Sequence, residues 1–120
     1  MTFKTTKELC NLNCLPCNGS TVRFSNTEIE DYILALGSRW SVEETANATS
    51  KLRATIKTKD FMEGLRIVNI LASIAEQQGH HFDVELRWGK LIIRITTHAI
   101  KGLSENDFIL AAKIDEALVE

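Results

Sequence analysis

All three histidines of the chain lie between positions 80 and 98, at His80, His81 and His98. Imidazole is the side chain best matched to proton transfer near neutral pH. Glu76 stands about one helical turn before His80. Three imidazoles and a carboxylate therefore suggest an acid–base site first. Metal binding is the second reading, but adjacent residues such as His80 and His81 usually point in different directions, and one ion would struggle to take both. A purely structural role is the third. The other chemistry-bearing group is Cys10, Cys14 and Cys17. Three is an odd number, and thiols crowded at one end do not suggest a disulfide framework. Their spacing is that of an iron–sulfur loop in radical SAM enzymes, but the barrel such a loop needs is missing. A zinc site would need a fourth ligand from distant histidines or carboxylates. Free thiols in an arm is the reading that results.

The elements that must position the histidines can be read from periodicity. A helical pattern runs from about Lys59 or Asp60 to Gln78. Asp60 and Glu63 suit its start, and Gly79 its stop. Phe61, Leu65, Val68, Ala72 and Ala75 form its predicted stripe, widened by Met62, Ile70, Leu71 and Ile74. As the longest apolar helix it is expected at the centre of the fold, with Gly64 marking close packing. Phe82, Val84, Leu86 and Trp88 then alternate with polar residues, Gly89-Lys90 suits a type II′ turn, and Leu91, Ile93 and Ile95 continue the alternation. Such a hairpin returns His98 to the neighbourhood of His80 and His81. Ile92, on the nominally wet face, hints at a subunit contact.

Upstream, Ser25 with Glu28 forms a capping-box pattern, and Phe24 with Ile29 a hydrophobic staple. Ile29, Ile33, Leu34 and Leu36 are expected inside, with Gly37 ending the helix. Two strands follow, Trp40 and Val42 in the first and Leu52, Ala54 and Ile56 in the second, joined by a turn around Asn47. The last helix should start at Ser104, paired with Asp107, and bury Phe108, Ala111, Ile114, Ala117 and Leu118. Residues 1–24, with Pro16 and the Asn18-Gly19-Ser20 turn signal, read as an irregular arm outside the core, leaving 25–120 as the domain. The order αββαββα predicts an α+β fold with a four-stranded, mainly antiparallel sheet and helices on one face.

With 120 residues, 44% of them hydrophobic, the chain can bury the core of one domain. A net charge of -2 supplies no basic field for nucleic acid. No apolar run approaches the roughly 20 residues of a membrane span, and MTFKTTKELC lacks a signal-peptide core. The cytoplasm is the expected compartment.

Glu76, His80, His81, Trp88, His98 and Asp107 together resemble the signature of the pterin-4a-carbinolamine dehydratases. There an acidic residue precedes a His-His pair, and an aromatic residue, a histidine and an aspartate follow at these intervals. The GLSENDFILA segment and the CLPCNGS arm are similar to the family's as well, so the resemblance spans nearly the whole chain. Phe82 stands where the family usually has proline, and Gly79 where an acidic residue is frequent. The resemblance implies dehydration of a 4a-hydroxytetrahydropterin to a quinonoid dihydropterin, with no metal and no cofactor. By family position His80 and His98 would be the acid–base pair, and His81 would bind and orient the pterin. Glu76 would hydrogen-bond an imidazole or the pterin, and Phe82, Thr97 and Ala99 would offer backbone contacts. Trp88 and Asp107 would support the site. A homodimer or homotetramer is implied too. The competing reading is a non-catalytic dimerisation cofactor or assembly chaperone on the same fold; retention of Glu76 and the three histidines favours the enzyme.

Overall fold

The computed structural model describes residues 6–15, 21–45 and 49–118. Pro16, Cys17, the Asn18-Gly19-Ser20 turn and the turn around Asn47 lie outside the described residues. Among those described, the elements run α1 (Thr6–Cys10), α2 (Asn26–Ile33), β1 (Trp40–Glu44), β2 (Ser50–Lys57), α3 (Phe61–Gln78), β3 (Asp83–Arg87), β4 (Lys90–Ile95), a 3-10 turn (His98–Ile100) and α4 (Glu105–Leu118). The four strands make one sheet of order β1-β2-β4-β3, and every pairing is antiparallel. This is the expected α+β architecture.

Alternation along the strands divides the sheet into two unlike faces. Leu52, Ala54, Leu91, Ile93 and Ile95 are buried in one core with Ile67 and Leu71 of α3 and most of the apolar residues of α4. The opposite face carries an ion-pair ladder. Arg94 on β4 bonds Glu43 of β1 (2.8 Å) and Glu85 of β3, Glu43 also meets Arg53 of β2 (3.6 Å), and Glu85 also accepts from Arg87 (3.0 Å). Ile92 lies on this face but is only 3% exposed, so it does not present the apolar contact expected of it.

Several helices differ from expectation for identifiable reasons. Ser25 caps α2 with the full reciprocal box (2.9 and 3.2 Å), but the helix ends at Ile33 and Leu34 is exposed. Gly37 therefore does not stop it. Instead its N–H donates to Asp115 Oδ2 (2.9 Å), and a Cβ there would stand 2.9 Å from the same oxygen. Asp115 also accepts from the Trp40 indole (2.8 Å), fixing the α2–β1 connection on α4. In α3 the buried line is Gly64, Ile67, Leu71 and Ala75, while Phe61, Met62, Leu65 and Ile70 are exposed. The close packing at Gly64 is real: a Cβ would come within 2.6 Å of Leu86 Cδ1. The central helix is α4, with a buried run from Asn106 to Ala112. The N-terminal arm is not irregular throughout, and Leu9 of α1 is fully buried in the core.

Candidate active site

Helix α3 ends in a left-handed Gly79 (φ 62°). The Gly79 N–H donates to Glu76 O (3.3 Å) and the His80 N–H to Ala75 O (3.2 Å). This is the Schellman arrangement, which satisfies carbonyls of the last turn and reverses the chain. The reversal separates the two imidazoles. His80 turns inward and is 5% exposed. His81 stays at the surface and pairs through Nε2 with Glu76 Oε2. Glu76 thus serves His81 rather than His80.

His80 Nε2 lies 2.7 Å from Asp107 Oδ1. Asp107 is fully buried at the third position of α4. Its Oδ2 accepts from the Ser104 N–H and from Thr97 Oγ1, both at 2.8 Å. Since Thr97 donates to the carboxylate, the Ser104 hydroxyl donates to Thr97 Oγ1 (2.9 Å). An ionised carboxylate only accepts, so His80 presents an N–H to it at Nε2. The start of a helix also favours a negative charge at this position.

His98 follows Thr97 directly and opens the exposed 3-10 turn. The turn is closed by an isolated bridge between Thr97 and Gly102. The single carboxylate of Asp107 therefore holds both the His80 segment and the residue next to His98. The Thr97 N–H donates to Gly102 O and its C=O accepts from Ile100, while its hydroxyl donates to Asp107. Trp88 is 71% exposed in the turn beyond β3, because the hairpin loop is Trp88-Gly89 and not Gly89-Lys90; Arg87 pairs with Lys90. Gly89 is not at positive φ, the condition expected of a type II′ turn. The five residues of β3 separate Trp88 from the histidine pair, about 17 Å of strand. Within the chain Trp88 does not join the site. The Phe82 ring packs against the core, and Ala99 is exposed in the 3-10 turn. Reading the sequence paired Ser104 with Asp107 at the helix start but missed Thr97 Oγ1 as a second partner of the same carboxylate.

Among the described residues, no group of three or more His, Cys, Asp or Glu is arranged to hold a metal ion. A cavity of about 550 Å³ lies between the arm and α4, lined by Leu12, Leu15, Val22, Phe24 and Ile109 among others, and contains none of the histidines.

The sequence pattern of the pterin 4 alpha carbinolamine dehydratases matches residues 22–117. The chain belongs to this family. It is 41% identical over 108 residues to a protein of Alkaliphilus metalliredigens that carries the provisional name pterin-4-alpha-carbinolamine dehydratase; the match covers 90% of this chain and 94% of that protein. It is 41% identical over 120 residues to the mitochondrial pterin-4-alpha-carbinolamine dehydratase 2 of Arabidopsis thaliana, covering 99% of this chain and 64% of the plant protein. In fold it resembles the crystal structure of a transcriptional coactivator/pterin dehydratase from Brucella melitensis, with a TM-score of 0.69 and 22% identity over 79% of this chain and 97% of that one. In this dehydratase-family chain, His80 meets Asp107 between the end of α3 and the start of α4, Glu76 pairs with His81 at the surface, and Thr97, the neighbour of His98, bonds Asp107.

Proposed function

We propose that the chain dehydrates a 4a-hydroxytetrahydropterin, using His80 and His98 for proton transfer. The C4a–O bond breaks and the hydroxyl leaves as water after gaining a proton. The N5–H bond breaks, and its electrons form the C4a=N5 double bond of the quinonoid dihydropterin. One group must donate and another accept, and imidazoles suit both tasks near neutral pH. The observation that carries this reading is the buried His80–Asp107 pair, because a carboxylate fixed by three donors fixes the tautomer of the imidazole it holds. His81, paired with Glu76 at the surface, binds and orients the pterin, and backbone groups at Ala99 and Phe82 complete the contact. Asp107, Thr97 and Ser104 hold His80 in place. The chain works in the cytoplasm as a homodimer or homotetramer; the exposed Phe61, Met62, Leu65 and Ile70 of α3 support self-association. Those same side chains favour the second reading, a dimerisation cofactor or assembly chaperone on this fold. A dehydration assay on a 4a-hydroxytetrahydropterin, run beside an inert protein, separates the two. Acceleration supports the enzyme, and none supports the scaffold.

A further inference from the structure

Among the described residues, Asn13–Leu15 hydrogen-bond to Gln78 and to Asn106, each of which adjoins one member of the His80–Asp107 pair. Gln78, the last residue of α3, stands two positions before His80. Its Oε1 accepts from the Cys14 N–H (2.7 Å) and its Nε2 donates to Asn13 Oδ1 (3.2 Å). Asn106 stands immediately before Asp107 and is 5% exposed. Its Oδ1 accepts from the Leu15 N–H (3.0 Å) and its Nδ2 donates to Leu15 O (2.9 Å). The Cys14 thiol adds a weaker contact to Asn106 O (3.4 Å). Three consecutive arm residues thus bridge the end of α3 and the start of α4. Leu9, buried in the core, and the bond from Lys113 Nζ to Cys10 O (2.6 Å) anchor the arm from below.

We propose that Asn13–Leu15 act as a clamp that sets the separation of His80 and Asp107, with Gln78 and Asn106 as positioning residues for proton transfer. This deepens the dehydratase reading and rests on it for its catalytic consequence. The reason is geometric. Gly79 sits between Gln78 and His80 in a left-handed conformation with nothing packed where its Cβ would be, so side-chain packing at Gly79 does not hold this corner. The amide of Gln78 is bonded to the arm on both its oxygen and its nitrogen, and the amide of Asn106 likewise. Each primary amide matches a donor and an acceptor together, which orients as well as attaches. A small misplacement at a reacting group can cost up to about 100-fold in rate, so a clamp beside the pair has leverage on turnover without touching substrate.

The test uses the full chain with Gln78→Ala, Asn106→Ala and, as control, Gln77→Ala, an exposed neighbour on the same helix end. Both clamp variants are expected to lower kcat about tenfold, part of the range misplacement allows, with KM changed less than about twofold; the control should match wild type. In histidine-labelled protein, the His80 Nε2–H proton should exchange with solvent at least about tenfold faster in both clamp variants, as expected when a protecting contact opens locally. Folded clamp variants with wild-type exchange overturn the proposal. If Asn106→Ala does not fold, Gln78→Ala, half-buried at a helix end, decides alone. If the wild-type chain proves inactive on pterins, the dehydratase reading fails while the exchange measurement still accepts or rejects the clamp.

Discussion

Asp107 accepts three hydrogen bonds from three separate segments: His80 after α3, Thr97 after β4 and the N–H of Ser104 before α4. None of these donors can reach water. Removing the carboxylate leaves these donors without an acceptor, so Asp107→Ala costs about 1–3 kcal/mol for each buried donor left unsatisfied. Urea unfolding should show it as a lower midpoint with an unchanged slope. An unchanged midpoint would mean the network is not held as described. Asp107→Asn should lower turnover, because an amide can stabilise the other imidazole tautomer. Removing a proton-transfer group outright is more severe. His80→Ala and His98→Ala should each reduce kcat/KM by about 100-fold or more, the usual scale for one acid–base residue. Near-wild-type rates in both would end the acid–base assignment. His81→Ala and Glu76→Ala, acting on binding, should mainly raise KM. The family was legible at this scale in residue types and intervals, and the divergence of His80 and His81 was expected of neighbours. That Glu76 serves His81 was not, because a left-handed residue between them changes which side chains meet.

Two elements make separable predictions. The corner after α3 depends on Gly79 at φ 62°. No atom lies within 4 Å of a Cβ built there, so Gly79→Ala meets only the conformational penalty, about 1–2 kcal/mol. Gly79→Asn should lose less, since its side chain tolerates that region. Thermal unfolding of both variants checks the order; Ala at or above Asn would contradict it. The outer sheet face predicts an acid response. Hydrogen bonds from Arg94 first and Arg87 second hold the Glu85 carboxyl below its ordinary value. The folded chain therefore binds fewer protons there than the unfolded chain. The stabilisation is complete above the ordinary glutamate value of about 4.3 and fades as pH falls through the lower, folded one. Hydrogen bonds to Glu43, and then to Glu85, raise the Arg94 pKa, so the arginine stays charged throughout this window. Urea midpoints taken from pH 6 down to pH 3 should fall less steeply in Glu85→Gln than in wild type, and equal slopes would show that the ladder adds nothing. Regular alternation made these strands and their faces readable in advance. The hairpin turn slipped by one residue because Gly89 suits the first central position of a type II′ turn, whereas the loop that forms is Trp88-Gly89 with neither residue at positive φ.

At the scale of the molecule, the sheet and helix order followed from periodicity, but the assignment of the centre did not. A helix buried on most sides has little amphipathic contrast to read, so α4 looked ordinary and the more strongly patterned α3 looked central. The five-residue α1 is too short for a periodic signal, and the ties from the arm to Gln78 and Asn106 span sequence separations of 64 and 91 residues, which no local pattern encodes. The correction to α3 has a consequence for assembly. Its apolar residues divide between the core line Gly64, Ile67, Leu71, Ala75 and an outer set in which Met62 is 69% exposed. Single exposed apolar residues are ordinary on a protein surface, but four large ones along one helix are a candidate contact. If copies of the chain associate through this helix, a charge at its middle must be buried without a partner. Leu65→Glu and Met62→Glu should therefore keep the fold, because neither residue belongs to the core, yet weaken association by at least roughly 30-fold, the equivalent of losing a 2 kcal/mol hot spot. Sedimentation velocity at micromolar concentration reads the outcome, with wild type sedimenting as a dimer or tetramer and the variants shifted toward monomer. A monomeric wild type would reject self-association. Variants that fold and still assemble like wild type would move the contact off α3, leaving the sheet edges at β1 and β3 as the next surfaces to test.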